Sequence, residues 1–125
     1  MITEDYVSFE IAKLLKEKEF DVPCIGRYSV RSKEFHLDCT RLCNNGGLFE
    51  FSAPTFQMAM KWIREVHKCY IHNVPFYQDL NYSEPPKWLL AVDSKGMPYP
   101  TINNHFNTYE EACEAAIKYC LTNLI

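Results

Sequence analysis

The side chains best suited to hold a metal are His36, Cys39, Cys43, His67, Cys69 and His72. Imidazole nitrogen and thiolate sulfur are the ligands zinc takes. Their spacing argues against a site. His36 and Cys39 stand three apart in a strand-like stretch, which sends them to opposite faces of a sheet. Cys39 and Cys43 can share a face, but they lack the two-residue spacer of a zinc knuckle. The expectation is no metal and no cofactor. A second constellation is His36 with Asp38, which a two-residue period places on one face. A carboxylate beside an imidazole can fix the tautomer of a general base. No nucleophile accompanies it. The four glycines, Gly26, Gly46, Gly47 and Gly96, fall at turns or strand starts, and no phosphate loop or dinucleotide fingerprint can be built from them. A paired-histidine metalloprotease helix and a serine elbow are also missing from the sequence. The reading is non-enzymatic.

Recognition by large apolar side chains is a different kind of chemistry, and here the candidates are Phe76, Tyr77, Tyr82 and Trp88. They lie in or beside a segment, 75–87, that has neither helical nor strand periodicity. Loops of that length inside a compact domain are usually functional or mobile. Aromatic anchors are typical of protein-binding surfaces. The competing expectation is a loop strapped over the core by its own aromatics. The adjoining strand-like stretch 70–74 offers an edge for pairing with an unknown protein partner or a second copy. The alternative is a nucleic-acid-associated regulator using Arg27, Arg31, Lys61 and Arg64. A formal net charge of -3 argues against it, because phosphate backbones require a basic face. The first five elements follow the order of a double-stranded RNA-binding domain, yet residues 52–57 carry no cation before Lys61. A small metal-dependent enzyme or zinc-stabilised module is the third reading.

The elements that position these residues are predicted from period and caps. Thr3 caps a first helix on which Val7, Ile11, Leu14 and Leu15 recur, fading near Glu19. Strands follow at 25–31 and 34–42, then an Asn44-Asn45-Gly46-Gly47 hairpin turn leads to a third at 48–51. Ser52 and Pro54 open a second helix with a stripe of Phe56, Ala59, Met60, Ile63 and Val66, widened by Met58 and Trp62. Strands are placed at 70–74 and 88–92, with a turn at 93–96 and a return at 97–101. Pro98 and Pro100 confine that return to a sheet edge. Thr108 and Glu111 make a capping box for a last helix with Tyr109, Ala112, Cys113, Ala116 and Cys120 buried and Glu114 paired to Lys118. The fold class is α+β, three helices packed on short antiparallel strands, in the order α-β-β-β-α-β-β-β-α. Both later helices follow strands and a capped turn, but their core residues align too loosely for a duplication.

With 125 residues and 47 % apolar content the chain makes one domain, 1–125, with a core that needs no disulfides. No apolar run reaches the roughly 20 residues of a membrane span. The acidic start lacks the basic region of a signal peptide. The expected compartment is the cytoplasm, with all six cysteines reduced. Residues 2–16, opening Ile2-Thr3-Glu4-Asp5-Tyr6, resemble a group of small uncharacterised proteins of gut anaerobic bacteria, their prophages and mobile elements. So do residues 53–67, opening Ala53-Pro54-Thr55-Phe56-Gln57, and Tyr109-Glu110-Glu111-Ala112. The matching pieces are caps and core stripes. The resemblance implies a fold and an accessory role in a phage or mobile element, and it transfers no site residue.

Overall fold

The computed structural model describes residues 2–94, 97–98 and 104–125. The elements are α1 (Phe9–Glu17), β1 (Gly26–Ser29), β2 (Phe35–Leu37), β3 (Glu50–Ser52), α2 (Phe56–His67), β4 (Cys69–Phe76), β5 (Lys87–Ser94), β6 (Met97–Pro98), β7 (Asn104–Phe106) and α3 (Tyr109–Tyr119). A π-helical turn, Cys120–Leu124, extends α3. This is an α+β fold with three helices and two small antiparallel sheets. The first sheet has the order β2-β1-β3; in the second, β5 is central and pairs with β4, β6 and β7. Strand β7 adds one element to the predicted order.

The core lies between the helices and the inner faces of both sheets. Ile11, Leu15, Phe20, Ile63, Leu90, Ile117 and Leu121 are buried within it. Phe20 meets Trp62 edge-on with centroids 5.2 Å apart. Gly26 is required where β1 passes the chain leaving β3: a Cβ there would lie 2.5 Å from the Ala53 carbonyl oxygen. The amide of Ala53 donates to the Gly26 carbonyl across the same contact, at 2.9 Å.

Several local expectations are corrected. The cap of α1 is Ser8, whose Oγ accepts from the Ile11 amide at 3.3 Å; Thr3 lies outside the helix. The chain before α1 is extended instead. Tyr6 bridges Thr55, and the Val7 amide donates to the Pro54 carbonyl at 3.0 Å. Burying Val7 in that pairing competes with an earlier helix start and wins. Ser52 belongs to β3, and its hydroxyl donates to the Cys43 carbonyl; Thr55 caps α2, accepting from Met58. The turn Asn44-Asn45-Gly46-Gly47 does not join paired strands, because β2 and β3 flank β1. Asn45, at φ 67°, clips the loop down instead: its Nδ2 donates to the Phe20 carbonyl and its Oδ1 accepts from the Ser52 amide. Strand β2 is only three residues long. Val66 is exposed, outside the α2 stripe. Lys118 pairs with Glu10 of α1 at 2.9 Å rather than with Glu114. The return after β5 is described only at Met97–Pro98, so most of the predicted turn and strand lies outside the described residues.

Candidate interaction surface

Eight cross-strand pairs, from Cys69↔Ser94 to Phe76↔Lys87, make β4 and β5 the longest ladder among the described residues. The two-residue period sorts their side chains. Cys69, Leu90, Val92 and Ser94 are buried beneath α2 and α3, with Ile71 and Asn73 half-buried beside them. Tyr70, His72 and Val74 alternate with them and are exposed. The predicted five-residue strand thus extends to eight, taking in Pro75 and Phe76. Pro75 is tolerated because, among the described residues, β4 is an edge strand whose ladder runs on the β5 side only.

Residues 77–86 form the hairpin loop. The Asp79 carboxylate closes it, accepting from the Ser83 amide at 3.1 Å and from the Ser83 hydroxyl. Those bonds hold the Asp79 carboxyl below its ordinary range. Tyr82 takes a left-handed backbone, φ 54°, and brings its ring perpendicular to Tyr77 with centroids 4.8 Å apart. Both tyrosines are exposed, and Leu80 between them is 94 % exposed. Trp88 behaves differently. It is half-buried and lies edge-on to Tyr109 of α3 at 5.2 Å. Phe76 is also half-buried. The four aromatics therefore divide: Tyr77 and Tyr82 face outward at the tip, and Phe76 and Trp88 anchor the ends of the two strands.

A groove of about 500 Å³ runs between α2 and the β4 edge, lined by Met60, Arg64, Tyr70, His72, Val74 and Tyr109 among others. At its floor Asn73 Nδ2 donates to Cys113 Sγ at 3.1 Å, while Asn73 Oδ1 is buried without a hydrogen-bond partner among the described residues. Burial pushes the Cys113 thiol up, so it is not a ready nucleophile. His72 Nε2 lies 3.0 Å from Asp93 Oδ2 across the hairpin, on an open surface.

The His36–Asp38 constellation does not form. His36 sits 3.8 Å from Glu34, and Asp38 accepts from the Thr40 amide and hydroxyl at 2.9 and 2.6 Å. The metal candidates are likewise scattered. Cys39 is exposed, Cys43 lies buried beside Cys24, Cys69 is buried under α3, and His67 meets the Trp62 ring at 4.7 Å. Among the described residues no group of three or more His, Cys, Asp or Glu could hold a metal ion. Of the four cations, Arg31, Lys61 and Arg64 are exposed, and Arg64 is 3.4 Å from Glu65. Arg27 is 3 % exposed: it pairs with Glu50 at 3.3 Å and donates to the Arg41 carbonyl, while Arg41 meets Glu50 at 2.9 Å.

Sequence reasoning missed the His72–Asp93 pair and this Arg27–Glu50–Arg41 cluster. Both depend on strand register, which no local spacing encodes. No described helix is long and apolar enough to cross a membrane. Comparison with known protein families, with curated proteins and with solved structures finds no match.

Proposed function

We propose that the protein is a non-enzymatic interaction protein that docks through the tip and outer edge of the β4–β5 hairpin. The observation that carries this reading is the exposure of Tyr77, Leu80 and Tyr82 together at the end of a rigid ladder. A structured loop that keeps three large apolar side chains in water forgoes about 1.5–3 kcal/mol for each one it could have buried. Asp79 and Ser83 hold the loop in that form, so its ordering is complete before a partner arrives. The acidic charge balance favours a protein partner over nucleic acid. An accessory role in a phage or mobile element accords with this reading.

Affinity capture of the tagged protein from its host, with and without nuclease, tests it against the variant Tyr77→Ala/Leu80→Ser/Tyr82→Ala. The expected result is a stoichiometric protein that survives nuclease and binds the variant at least tenfold more weakly. A partner held equally by both proteins overturns the assignment of the tip. A partner set that vanishes with nuclease favours the nucleic-acid reading instead.

A further inference from the structure

Cys24 and Cys43 face each other outside the named strands. The Cys24 amide donates to the Cys43 carbonyl and the Cys43 amide to the Cys24 carbonyl, both at 2.8 Å. In such a mutually bonded antiparallel pair the Cα atoms are about 5.5 Å apart and the side chains leave on the same face. That separation is close to the commonest one spanned by a disulfide. The two cysteines are 6 % and 7 % exposed, near enough to the surface for a small oxidant. We propose that Cys24 and Cys43 form a reversible disulfide under peroxide, pinning the 39–49 segment to the chain that leads into β1.

The chemistry balances with one hydrogen peroxide. One sulfur takes an oxygen as the O–O bond breaks, giving a sulfenic acid and water. The second thiol attacks that sulfur, the S–O bond breaks, and the departing oxygen leaves with the thiol proton as a second water. Two electrons pass from the sulfur pair to the peroxide. Directly bonded pairs hold Cβ atoms further apart than a disulfide prefers, so closure draws the two segments together and leaves a readily reduced bond. In the reduced protein Cys24 Sγ donates to the Val22 carbonyl at 3.2 Å, and burial raises its thiol to about 11. Oxidation is therefore slow at neutral pH and faster in alkali, where more thiolate is present. Cys69 and Cys120 provide an internal reference. They are also adjacent, but the core encloses them, and burial pushes the Cys120 thiol up to about 12.

The test treats the full chain with hydrogen peroxide at pH 7 and pH 8.5, alkylates it, digests it without reduction and maps cross-linked peptides by mass spectrometry. A Cys24–Cys43 link that appears faster at pH 8.5, raises Tm and is reversed by dithiothreitol supports the proposal. Closing a loop of about 20 residues constrains the unfolded chain, strain in the bond offsets part of that gain, and Tm should rise by a few degrees at most. Cys39→Ser should retain that rise and Cys43→Ser should abolish it. Oxidation confined to the exposed Cys39, as a dimer or a sulfinic acid, overturns the proposal. The wild-type peptide map decides the question even if Cys43→Ser fails to fold.

Discussion

The two sheets hold their exposed loops by different means. In the β4–β5 hairpin, eight consecutive backbone pairs carry the loop, and Asp79 closes it by accepting from Ser83, four residues away. In the first sheet no strand exceeds four residues, and the long loop after β2 is held by ties from distant positions. Asn45 bonds to Phe20 and Ser52, Cys43 bonds to Cys24 and Ser52, and Arg27 and Arg41 share Glu50. Both loops leave apolar side chains in water, Leu48 and Phe49 in one and Leu80 and Tyr82 in the other. A ladder supplies order through many equal contacts. A set of long-range ties concentrates it in a few residues, so single substitutions should separate the two regions.

The largest effect is expected in the first sheet. Glu50→Ala leaves the buried Arg27 guanidinium without its counter-charge, and we expect a loss of about 2–3 kcal/mol by urea unfolding, less than for a fully buried pair because Glu50 is partly exposed. In the second sheet, Trp88→Ala removes the half-buried ring that packs on Tyr109 and should cost about 2 kcal/mol by the same measurement. A cost for Trp88→Ala well above that for Glu50→Ala would reverse the comparison. The next test is pH dependence. Arg41, through its hydrogen bond, and Arg27 hold the Glu50 carboxyl below the usual carboxylate range. A lowered folded-state pKa gives stability that is present above about pH 4.3 and lost as pH falls through the folded value. Glu50→Gln should therefore show a shallower fall in stability below about pH 4 than wild type. The smallest effect belongs to the hairpin tip. Tyr77→Ala with Tyr82→Ala should change stability by less than about 1 kcal/mol, seen as a Tm shift of a few degrees at most.

The legible parts of this fold were those set by local period. The apolar stripe of α3 with its Thr108 cap, the α1 and α2 stripes apart from Val7, Met58 and Val66, and the existence of strands near 70–74 and 88–92 follow from spacing a reader can count; the pairing of those two strands with each other does not. The Asn44-Asn45-Gly46-Gly47 segment was misread because its turn chemistry is real but its strands do not pair with each other. Local preference says that a chain bends, and it does not say which strand lies between the two arms. The same gap hid the buried Arg27: its neighbours in sequence resemble those of any surface arginine, and its burial follows from Glu50, 23 residues away. At the candidate surface, loop length and aromatic content located the segment, but which rings turned outward depended on α3, whose Tyr109 claims Trp88.

One small joint governs how the groove can operate. Helix α2 ends at His67 and β4 begins at Cys69, so Lys68 alone connects them, with a left-handed backbone at φ 58°. The Lys68 amide also donates to the Arg64 carbonyl at 3.1 Å, tying the joint back to the helix. So short a joint, tied back to the helix, restrains the two walls of the groove against swinging apart, which makes the groove a mould more than a pair of jaws. A guest for such a mould meets its final shape on arrival and gives up no affinity to selecting a rare open form. Its association should follow a single exponential whose rate grows linearly with concentration, with no plateau set by a slow isomerisation.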